Sequence, residues 1–409
     1  MLSQISRLQI NGDRLNDSIN RLAKIGRTAD GHICRLAFSP EDLQARNLVR
    51  RWMEEAGMSV HTDAAGNLIA TYAGQVDGAP ALATGSHIDT VPSGGPYDGV
   101  LGVLAGIEVV RVLRENNLRL NHPLEVIVFS DEENTMIGSR AMAGNLNLEE
   151  AISVADALSA AGGDWDTVTS AQRSRREIAA FVELHVEQGS VLESTRKQIG
   201  VVQGVVGMNR YAITINGYAN HAGTTPMHLR EDALIAAAQL VLAVQNLALE
   251  QPSQPVATVG KLNVTPNAAN IVPGRVELTV DMRDLSQQVL DEMTLRLTQE
   301  LGAIAQRTNT QIDITPILRV APSPAADTIQ ATIQSVCQDL GLSYQMMPSR
   351  AGHDAMEMGR FTDMGMIFVP SEGGVSHSGE EYTSPEQCNQ GANVLLNTLL
   401  RLDALYPCA

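Results

Sequence analysis

Histidine and carboxylate side chains that could bind divalent metal ions recur at five places in this sequence. They stand in GSHIDT, GGPYDGVLG, SDEEN, ELHVEQG and GVSHSGEE, and the candidates are His87, Asp89, Asp98, Asp131, Glu132, Glu133, His185 and His377. Imidazole nitrogens and carboxylate oxygens are the ligands that zinc, manganese and related divalent ions take, and two ions need roughly six protein contacts, some of them shared. The inventory is therefore large enough for a pair of divalent ions.

Each of these places has an ordinary explanation when it is taken alone. A single histidine at a strand end is more often a surface or hydrogen-bonded polar residue, and adjacent carboxylates such as Asp131 to Glu133 usually form a solvated turn. The joint pattern favours a metal site, because these residues follow one another at predicted strand ends in a chain with only nine histidines. In such a site Asp89 would orient His87 through its other ring nitrogen. Glu132, beside a ligand but free itself, would be the general base.

The predicted elements around these residues are those of an α/β domain. Apolar runs of strand length occur at residues 81–88, 124–133, 178–189 and 365–371, and a helical segment occupies residues 102–116. This rhythm indicates a mixed, mostly parallel sheet, and open sheets of this kind place their ligands at the carboxyl ends of the strands. The last strand lies far downstream, so the domain is predicted to resume late in the chain.

The middle of the chain has a different rhythm. Strands are predicted at residues 211–217, 256–264, 274–283 and 311–316, and helices at residues 231–249 and 286–307. The order βαββαβ is that of a ferredoxin-like domain. In VELTVDMR the alternation places Glu277, Thr279, Asp281 and Arg283 on one face and apolar residues on the other. A sheet with one polar face suits a lid or an interface.

Length, charge and cysteine content limit the other possibilities. A chain of 409 residues predicts two domains, here residues 1–208 with 323–409 and an inserted domain of residues 209–322. The net charge of −17 argues against nucleic acid or a membrane surface as a partner, although a local arginine clamp could still bind a small anion. An N-terminus without a long apolar run and four cysteines without paired spacing predict a cytoplasmic protein.

Several strings of the sequence resemble the motifs of one known family. GSHIDTV, YDGVLGVLAGIEVV, FSDEEN, GSRAMAG, VELHVEQG, NHAGTTPM, AGHDA and GVSHS are similar to those of the carbamoyl-amidohydrolase branch of the M20 metallopeptidase superfamily. This branch includes N-carbamoyl-L-amino-acid hydrolases, allantoate amidohydrolases and β-alanine synthases. The similarity covers essentially the whole chain. It implies an α/β catalytic domain, an inserted ferredoxin-like lid and dimerisation domain, and a homodimer.

The resemblance assigns the metal ligands, which spacing alone does not pair. It implies two divalent ions per subunit, one held by His87 and His185 and the other by Glu133 and His377, with Asp98 bridging both. Zinc or manganese is expected. The same set of nitrogen and oxygen ligands also suits cobalt and nickel.

The resemblance also implies roles in substrate binding. His221 of NHAGTTPM, contributed in this family by the partner subunit, would stabilise the tetrahedral oxyanion. The residues implied to hold the substrate are Gln188, Arg210, Asn270, Arg283, Gly352 and His353. Arg283 would bind the substrate carboxylate, a role that suits a guanidinium, although an arginine on a polar sheet face is more often simply solvated.

One position favours a ureido substrate over a peptide. Peptidase members of the superfamily usually carry an acidic residue where this chain has His185, whereas the carbamoyl branch has histidine. The predicted reaction is hydrolysis of the ureido C–N bond of an N-carbamoyl-L-amino acid, a small anionic substrate, to the amino acid, ammonia and CO2. The alternatives are allantoate as the substrate, an N-acyl amino acid hydrolase or dipeptidase, and a non-catalytic binding protein that keeps the fold.

One segment departs from the family pattern. Relatives commonly have a longer segment with E-G-x-R-F before a Gly-Ser pair, whereas this chain runs from Glu133 through residues 134–137 directly to Gly138 and Ser139. Several residues near the predicted metal site are therefore missing. The resemblance therefore implies nothing about the part of the pocket wall that this segment forms in relatives.

Overall fold

The chain divides into two compact units. The computed structural model describes residues 8–408, so the start of the N-terminal stretch used for the cytoplasmic prediction lies outside the described residues. The larger unit comprises the described residues up to Val205 and those from Pro324 onward, and the smaller comprises Val206–Ser323. Within the described range, no helix has both the length and the apolar character needed to cross a bilayer.

The secondary structure alternates between strands and helices along most of the chain. The strands are β1 (Ser59–Thr62), β2 (Leu68–Tyr72), β3 (Ala81–His87), β4 (Leu124–Phe129), β5 (Ile178–Val186), β6 (Ile199–Val205), β7 (Gly207–Asn216), β8 (Asn220–His221), β9 (Val256–Thr265), β10 (Ile271–Val272), β11 (Arg275–Asp284), β12 (Gln311–Val320), β13 (Ser323–Pro324), β14 (Tyr344–Ser349) and β15 (Asp363–Val369). The α-helices are α1 (Gly12–Leu22), α2 (Pro40–Glu55), α3 (Val100–Glu115), α4 (Ile137–Met142), α5 (Leu148–Ala151), α6 (Ala155–Leu158), α7 (Val191–Thr195), α8 (Ala233–Leu249), α9 (Gln287–Thr308), α10 (Asp327–Asp339), α11 (Asp354–Met358) and α12 (Pro385–Leu405).

The larger unit is built on a nine-stranded mixed sheet. Its strand order is β1-β2-β4-β3-β5-β15-β6-β13, with β14 also paired to β6. The four central strands, β4, β3, β5 and β15, are parallel to one another, while β2 and β6 pair antiparallel with β4 and β15. Every residue of β3, β4 and β5 is buried, as expected for strands covered on both faces.

Two long helices of this unit have sequences suited to their positions. α3 has thirteen buried residues and packs on β3, and α12 packs on both α3 and β15. Ser384 caps α12 through a capping box with Gln387, and Pro385 occupies the first turn, where its missing N–H costs nothing. These helices support the sheet on which the candidate site is built.

The smaller unit has the order β7-α8-β9-β11-α9-β12. Its four long strands are antiparallel and arranged β12-β7-β11-β9, the strand order of a ferredoxin-like fold. Val276, Leu278, Val280 and Met282 of β11 alternate into a core shared with α8 and α9. A mostly parallel mixed sheet and a separate antiparallel sheet confirm the predicted fold class.

Candidate metal centre and active site

The strand order of the larger unit gathers the predicted ligands at one end of its sheet. β3 ends at His87, β4 leads directly into the SDEEN segment, and β5 carries His185 next to its last residue. β15, the parallel neighbour of β5, leads into the loop that contains His377. Because these four strands point the same way, the residues that follow them meet at the carboxyl edge.

The first cluster consists of His87, Asp98 and His185. All three are buried, and their ligand atoms lie within 4.8 Å of one another. Asp98 Oδ1 is 3.6 Å from His87 Nε2 and 3.2 Å from His185 Nε2. Gly99, which follows Asp98, packs directly against the His87 ring, because a Cβ at this position would lie 2.5 Å from it.

The other nitrogen of each ring is held by the backbone. Nδ1–H of His87 donates to the carbonyl of Asp89 at 3.0 Å, and Nδ1–H of His185 donates to the carbonyl of Val186 at 2.9 Å. With Nδ1 held by a backbone carbonyl in each ring, Nε2 is the nitrogen turned toward Asp98 and the one that would bind a metal ion. Asp89 thus contacts His87 most closely through its carbonyl. Its carboxylate is 3.7 Å from His87 Nδ1 and accepts a hydrogen bond from Glu133 N–H.

The second cluster consists of Asp98, Glu133 and His377. His377 Nε2 is 3.4 Å from Glu133 Oε2 and 3.5 Å from Asp98 Oδ2, and the His377 side chain is 51% exposed. Asp98 Oδ2 also accepts hydrogen bonds from Gln188 Nε2 at 2.8 Å and Ser376 Oγ at 3.0 Å. Asp98 is therefore the residue common to both clusters.

Glu132 lies beside one member of each cluster and belongs to neither. Its Oε2 is 3.5 Å from His87 Nε2, and its ligand atom also groups with those of His87 and Glu133. Burial raises the pKa of Glu132 well above its ordinary value; nearby His87 opposes this shift, and the carboxyls of Asp354 and Glu133 reinforce it. The pKa of Glu133 is raised by burial as well.

This donor set fits divalent cations. Burial alone would raise the pKa of Asp98, but hydrogen bonds with His185 and His87 hold it well below the ordinary value. Crowded buried carboxyls that share protons with histidines are stabilised when a cation takes the place of those protons. The buried Oε1 of Gln188, beside the cluster, also has no hydrogen-bond partner among the described residues. Imidazole and carboxylate donors suit zinc and manganese alike.

Four residues in or beside these clusters have left-handed backbone conformations. Asp131, Met136, Gln188 and His377 have φ between +53° and +58°, a region that costs side-chain-bearing residues roughly 1–2 kcal/mol. Such conformations persist where the surrounding structure enforces them, often at functional sites. No sequence pattern predicted them, because none of the four is glycine.

A cleft of about 230 Å³ opens onto the clusters. It is lined by the five predicted ligands, by Glu132, and by Asn134, Met136, Arg140, Gln188, Ala351, Gly352 and His353. His353 is buried, and its ring packs edge-on against that of His185 with centroids 4.5 Å apart. Burial and the neighbouring His185 hold the pKa of His353 well below its ordinary value. The shortened segment after Glu133 still supplies part of the wall, through Asn134 and Met136.

The remaining predicted residues belong to the smaller unit. His221 pairs with Ile271 between β8 and β10, and the carbonyl of Asn270 accepts a hydrogen bond from Ala222 N–H at 2.9 Å. His221 Nδ1 accepts hydrogen bonds from the N–H groups of Gly223 at 3.0 Å and Thr224 at 3.2 Å. This tautomer leaves Nε2–H of an exposed histidine available as a donor.

Arg210 and Arg283 are held side by side by one carboxylate. Asp281 Oδ2 accepts from Arg210 Nε at 3.0 Å and NH2 at 2.7 Å, and Asp281 Oδ1 accepts from Arg283 Nε at 2.9 Å. Both arginines lie on the polar face of the sheet, opposite the core of the unit. Charge-assisted contacts of this kind fix the planes of guanidinium groups.

One family model covers most of the chain. The model described as "Peptidase family M20/M25/M40" matches residues 83–401. This chain belongs to that family. The family match includes all of the predicted metal ligands and Glu132.

Relatives within the M20 family match the chain along nearly its whole length. The chain is 40% identical to an N-carbamoyl-L-amino acid amidohydrolase of Geobacillus stearothermophilus, over 96% of this chain and 99% of the relative. It is 35% identical to an allantoate amidohydrolase of Bacillus subtilis, with 95% and 97% covered. It is also 35% identical to a ureidoglycolate hydrolase of Arabidopsis thaliana, with 97% and 88% covered.

A solved structure shares the fold. A hydantoinase/carbamoylase family amidase from Burkholderia multivorans has a TM-score of 0.90 and 36% identity, over 96% of this chain and 98% of that chain. These similarities confirm the predicted membership of the carbamoyl-amidohydrolase branch. This M20 chain is a metal-dependent amidohydrolase, as predicted, rather than a non-catalytic binding protein.

Sequence reasoning missed several residues that contact the candidate site of this M20 enzyme. Glu183 is buried, accepts from Ser86 Oγ at 2.6 Å and from Ala355 N–H at 2.9 Å, and so joins β3, β5 and α11 beneath His185. Arg140 lines the cleft, and Ser376 and Glu381 contact the turn of Asp98. Ser376 and Glu381 stand within four residues of His377, and this proximity is the one signal that could have singled them out.

Proposed function

We propose that this amidohydrolase cleaves the ureido C–N bond of an N-carbamoyl-L-amino acid and uses two divalent ions per chain. The observation that carries the proposal is the pair of ligand clusters that share Asp98. His185, in place of an acidic residue, favours a ureido substrate. The Geobacillus stearothermophilus relative, named as an N-carbamoyl-L-amino acid amidohydrolase, supports the same reaction.

In this proposal the ligands divide as the two clusters do. His87 and His185 would hold one ion, Glu133 and His377 would hold the other, and Asp98, which faces both pairs, would be shared between the two ions. Two divalent ions in these positions would acidify a water molecule and polarise the carbonyl of the substrate. Zinc or manganese is the expected occupant, with cobalt and nickel as alternatives.

The protein residues carry the proton transfers and hold the substrate. Glu132 accepts a proton from the attacking water, whose oxygen bonds to the ureido carbonyl carbon. Nε2–H of His221 of the partner subunit donates to the oxyanion that forms. The C–N bond then breaks as Glu132 returns the proton to the leaving nitrogen. Cleavage releases ammonia and a carbamate that decomposes to CO2 and the amino acid.

The other predicted residues bind the substrate. Arg283, fixed by Asp281, binds the carboxylate, with Arg210 as a second contact. Gln188, Asn270, Gly352 and His353 complete the substrate site. Asp89 supports both His87 and the Glu133 backbone rather than touching the substrate.

Allantoate is the second candidate substrate. It also presents a ureido group and a carboxylate, and the Bacillus subtilis relative is named as an allantoate amidohydrolase. An N-acyl amino acid or a dipeptide is less favoured because His185 departs from the acidic residue of the peptidases.

Ammonia release tests the proposed reaction directly. The protein is loaded with Mn²⁺ or Zn²⁺, and ammonia release is measured with a series of N-carbamoyl-L-amino acids and with allantoate. N-acetyl amino acids, which release no ammonia, are assayed in parallel through the free amine that their hydrolysis produces. We expect the highest kcat/KM with an N-carbamoyl-L-amino acid and no turnover after treatment with a chelator. Faster hydrolysis of allantoate would select the second candidate, and hydrolysis of N-acetyl substrates alone would contradict both.

Removal of the Arg283 side chain is expected to weaken substrate binding. Arg283→Ala should raise KM about 10–100-fold, because a charge-assisted hydrogen bond contributes roughly 1.5–3 kcal/mol, and should change kcat much less. Steady-state kinetics with the preferred substrate measure both constants. Arg275→Ala is the matched control, since Arg275 lies on the same strand but is exposed and paired with Glu277. Equal effects of the two substitutions would contradict the assignment.

The homodimer is part of the same proposal. α8 exposes Ile235, Ala238, Leu242 and Leu249, whose spacing of three, four and seven residues forms one stripe that is apolar except for Gln245. Such a stripe suits a second copy of the same helix across a two-fold axis. The cytoplasmic location and the absence of nucleic-acid or membrane partners stay predictions from the sequence.

A charge in the middle of this stripe should prevent self-association. Leu242→Glu is expected to turn a dimer into a monomer in sedimentation velocity, because an unpaired charge in an apolar interface is costly. Leu295→Glu is the control, because Leu295 is an exposed leucine of α9 outside the stripe. A dimer that is unaffected by Leu242→Glu would show that the stripe is not the interface.

A further inference from the structure

Glu381 is a buried carboxylate beside the candidate metal centre to which the proposed reaction gives no role. It belongs to the loop between β15 and α12, four residues beyond His377, and is 3% exposed. A carboxylate removed from water needs hydrogen bonds to offset the loss of hydration. Its partners therefore indicate what it does.

The carboxylate of Glu381 holds the backbone of the turn that carries Asp98. Its Oε1 accepts from Tyr97 N–H at 2.8 Å and from Asp98 N–H at 3.0 Å. Hydrogen bonds from two consecutive amides to one oxygen restrict the orientation of that turn. Asp98 projects from the turn just before α3 and is the residue shared by the two ligand clusters.

A second connection joins the same loop to the side chain of Asp98. Ser376 Oγ donates to Asp98 Oδ2 at 3.0 Å and lies 3.5 Å from Glu381 Oε2. The loop thus forms two hydrogen bonds with Asp98: Glu381 accepts from the backbone N–H of Asp98, and Ser376 donates to its carboxylate. Between the two contacting residues stands His377, the half-exposed ligand of the second cluster.

The packing around Glu381 leaves room for this contact only because a neighbour is glycine. A Cβ on Gly95 would lie 2.4 Å from Glu381 Cβ and 2.6 Å from its Oε1. The backbone of Gly95 and the side chain of Glu381 therefore lie too close together to admit a Cβ at position 95. This approach is independent of the hydrogen bonds and points to the same association of the Asp98 turn with the His377 loop.

We propose that Glu381, assisted by Ser376, is a positioning residue that couples the His377 loop to the Asp98 turn and so places two ligands of the second ion together. The inference rests on the proposed two-ion site. Glu381 touches neither the substrate nor an ion in this role. Its effect should be larger for the ion held by Glu133, His377 and Asp98, because only that ion takes ligands from both of the coupled segments.

Zinc binding by variants of the full chain tests this role. Metal-free protein is titrated with Zn²⁺ in the presence of a colorimetric chelator that competes for zinc, which gives the affinity of each site. Elemental mass spectrometry gives the number of zinc ions bound per chain. Glu381→Ala is expected to bind one zinc with nearly unaltered affinity and the other about 10–100-fold more weakly, the usual cost of losing a partner that orients a metal ligand. Glu381→Gln keeps an oxygen acceptor for both amides and should stay within about threefold of the unaltered protein.

Glu380→Ala is the matched control, because Glu380 is the neighbouring residue but its side chain is exposed. It should bind both zinc ions as the unaltered protein does. Retention of both affinities in Glu381→Ala would overturn the inference, and so would equal losses in Glu381→Ala and Glu381→Gln. If the unaltered chain itself binds fewer than two zinc ions, the proposed function fails rather than the role of Glu381.

Circular dichroism and thermal unfolding show whether Glu381→Ala folds. If it does not, Ser376→Ala decides the question, because it removes only the side-chain connection to Asp98. A weaker second zinc site in that variant would support the coupling of loop and turn. Two unaltered zinc affinities in Ser376→Ala would overturn it.

Discussion

Glu132→Gln is expected to lower kcat by about 10²–10⁴-fold while the protein keeps the two proposed metal ions. The amide that replaces the carboxylate has nearly the same shape but cannot accept a proton from water or return one to the leaving nitrogen. Glu132 is nearly buried and lies 3.5 Å from the His87 ring, so the substitution removes a group within the centre without opening it to solvent.

The two measurements for Glu132→Gln are turnover and metal content. Ammonia release gives kcat, and mass spectrometry of the metal counts the ions per chain. Unchanged metal content with a large loss of kcat separates a base from a ligand. A variant that turns over at the rate of the unaltered enzyme would contradict the assignment, and one that loses an ion would make Glu132 a ligand.

Asp98→Ala should have an equally large effect for a different reason. Asp98 is common to both ligand clusters, since its two oxygens face His87 and His185 on one side and His377 on the other. Without it, both ions should be lost at metal concentrations that saturate the unaltered enzyme. We expect kcat/KM to fall by at least about 10³-fold, because metal stabilisation of the transition state is worth several kcal/mol and each 1.36 kcal/mol is a factor of ten.

His377→Ala serves as the comparison for Asp98→Ala, because it should affect the binding of fewer ions. His377 belongs to the second cluster alone and is half exposed. Its removal should therefore weaken the binding of one ion and leave the binding of the other unchanged. Zinc titration of the two variants therefore distinguishes a shared ligand from an unshared one. Loss of a single ion in Asp98→Ala, equal to that in His377→Ala, would contradict the bridging arrangement.

Several features of this protein followed from residue types and local chain pattern. Parallel strands with mostly apolar sequences, such as β3, β4 and β5, are recognisable because both of their faces are buried. The residues at or just beyond the carboxyl ends of such strands must meet, so His87, Glu133 and His185 could be associated without coordinates. The alternation in β11 likewise predicted which side chains reach the core of the smaller unit.

Other features depended on contacts between distant parts of the chain. β15 lies between β5 and β6, although nearly 160 residues separate it from β6 in sequence, and no local pattern specifies that insertion. Neither the antiparallel β6 nor β1 and β2 at one side of the sheet were predicted; β1 and β2 are only four and five residues long and carry little periodic signal. The role of Glu183 beneath His185 also required coordinates.

The sequence by itself determined the chemistry of the site: the types of ligand, their places at strand ends, the candidate base Glu132, and membership of a family of metal-dependent amidohydrolases. Only the tertiary structure decided which atoms face one another. It showed that backbone carbonyls turn the Nε2 atoms of His87 and His185 toward Asp98, and that Glu381 binds the Asp98 turn from 283 positions away in the chain. The reason is physical, since residue type limits what a side chain can bind, whereas packing over long sequence separations decides what it meets.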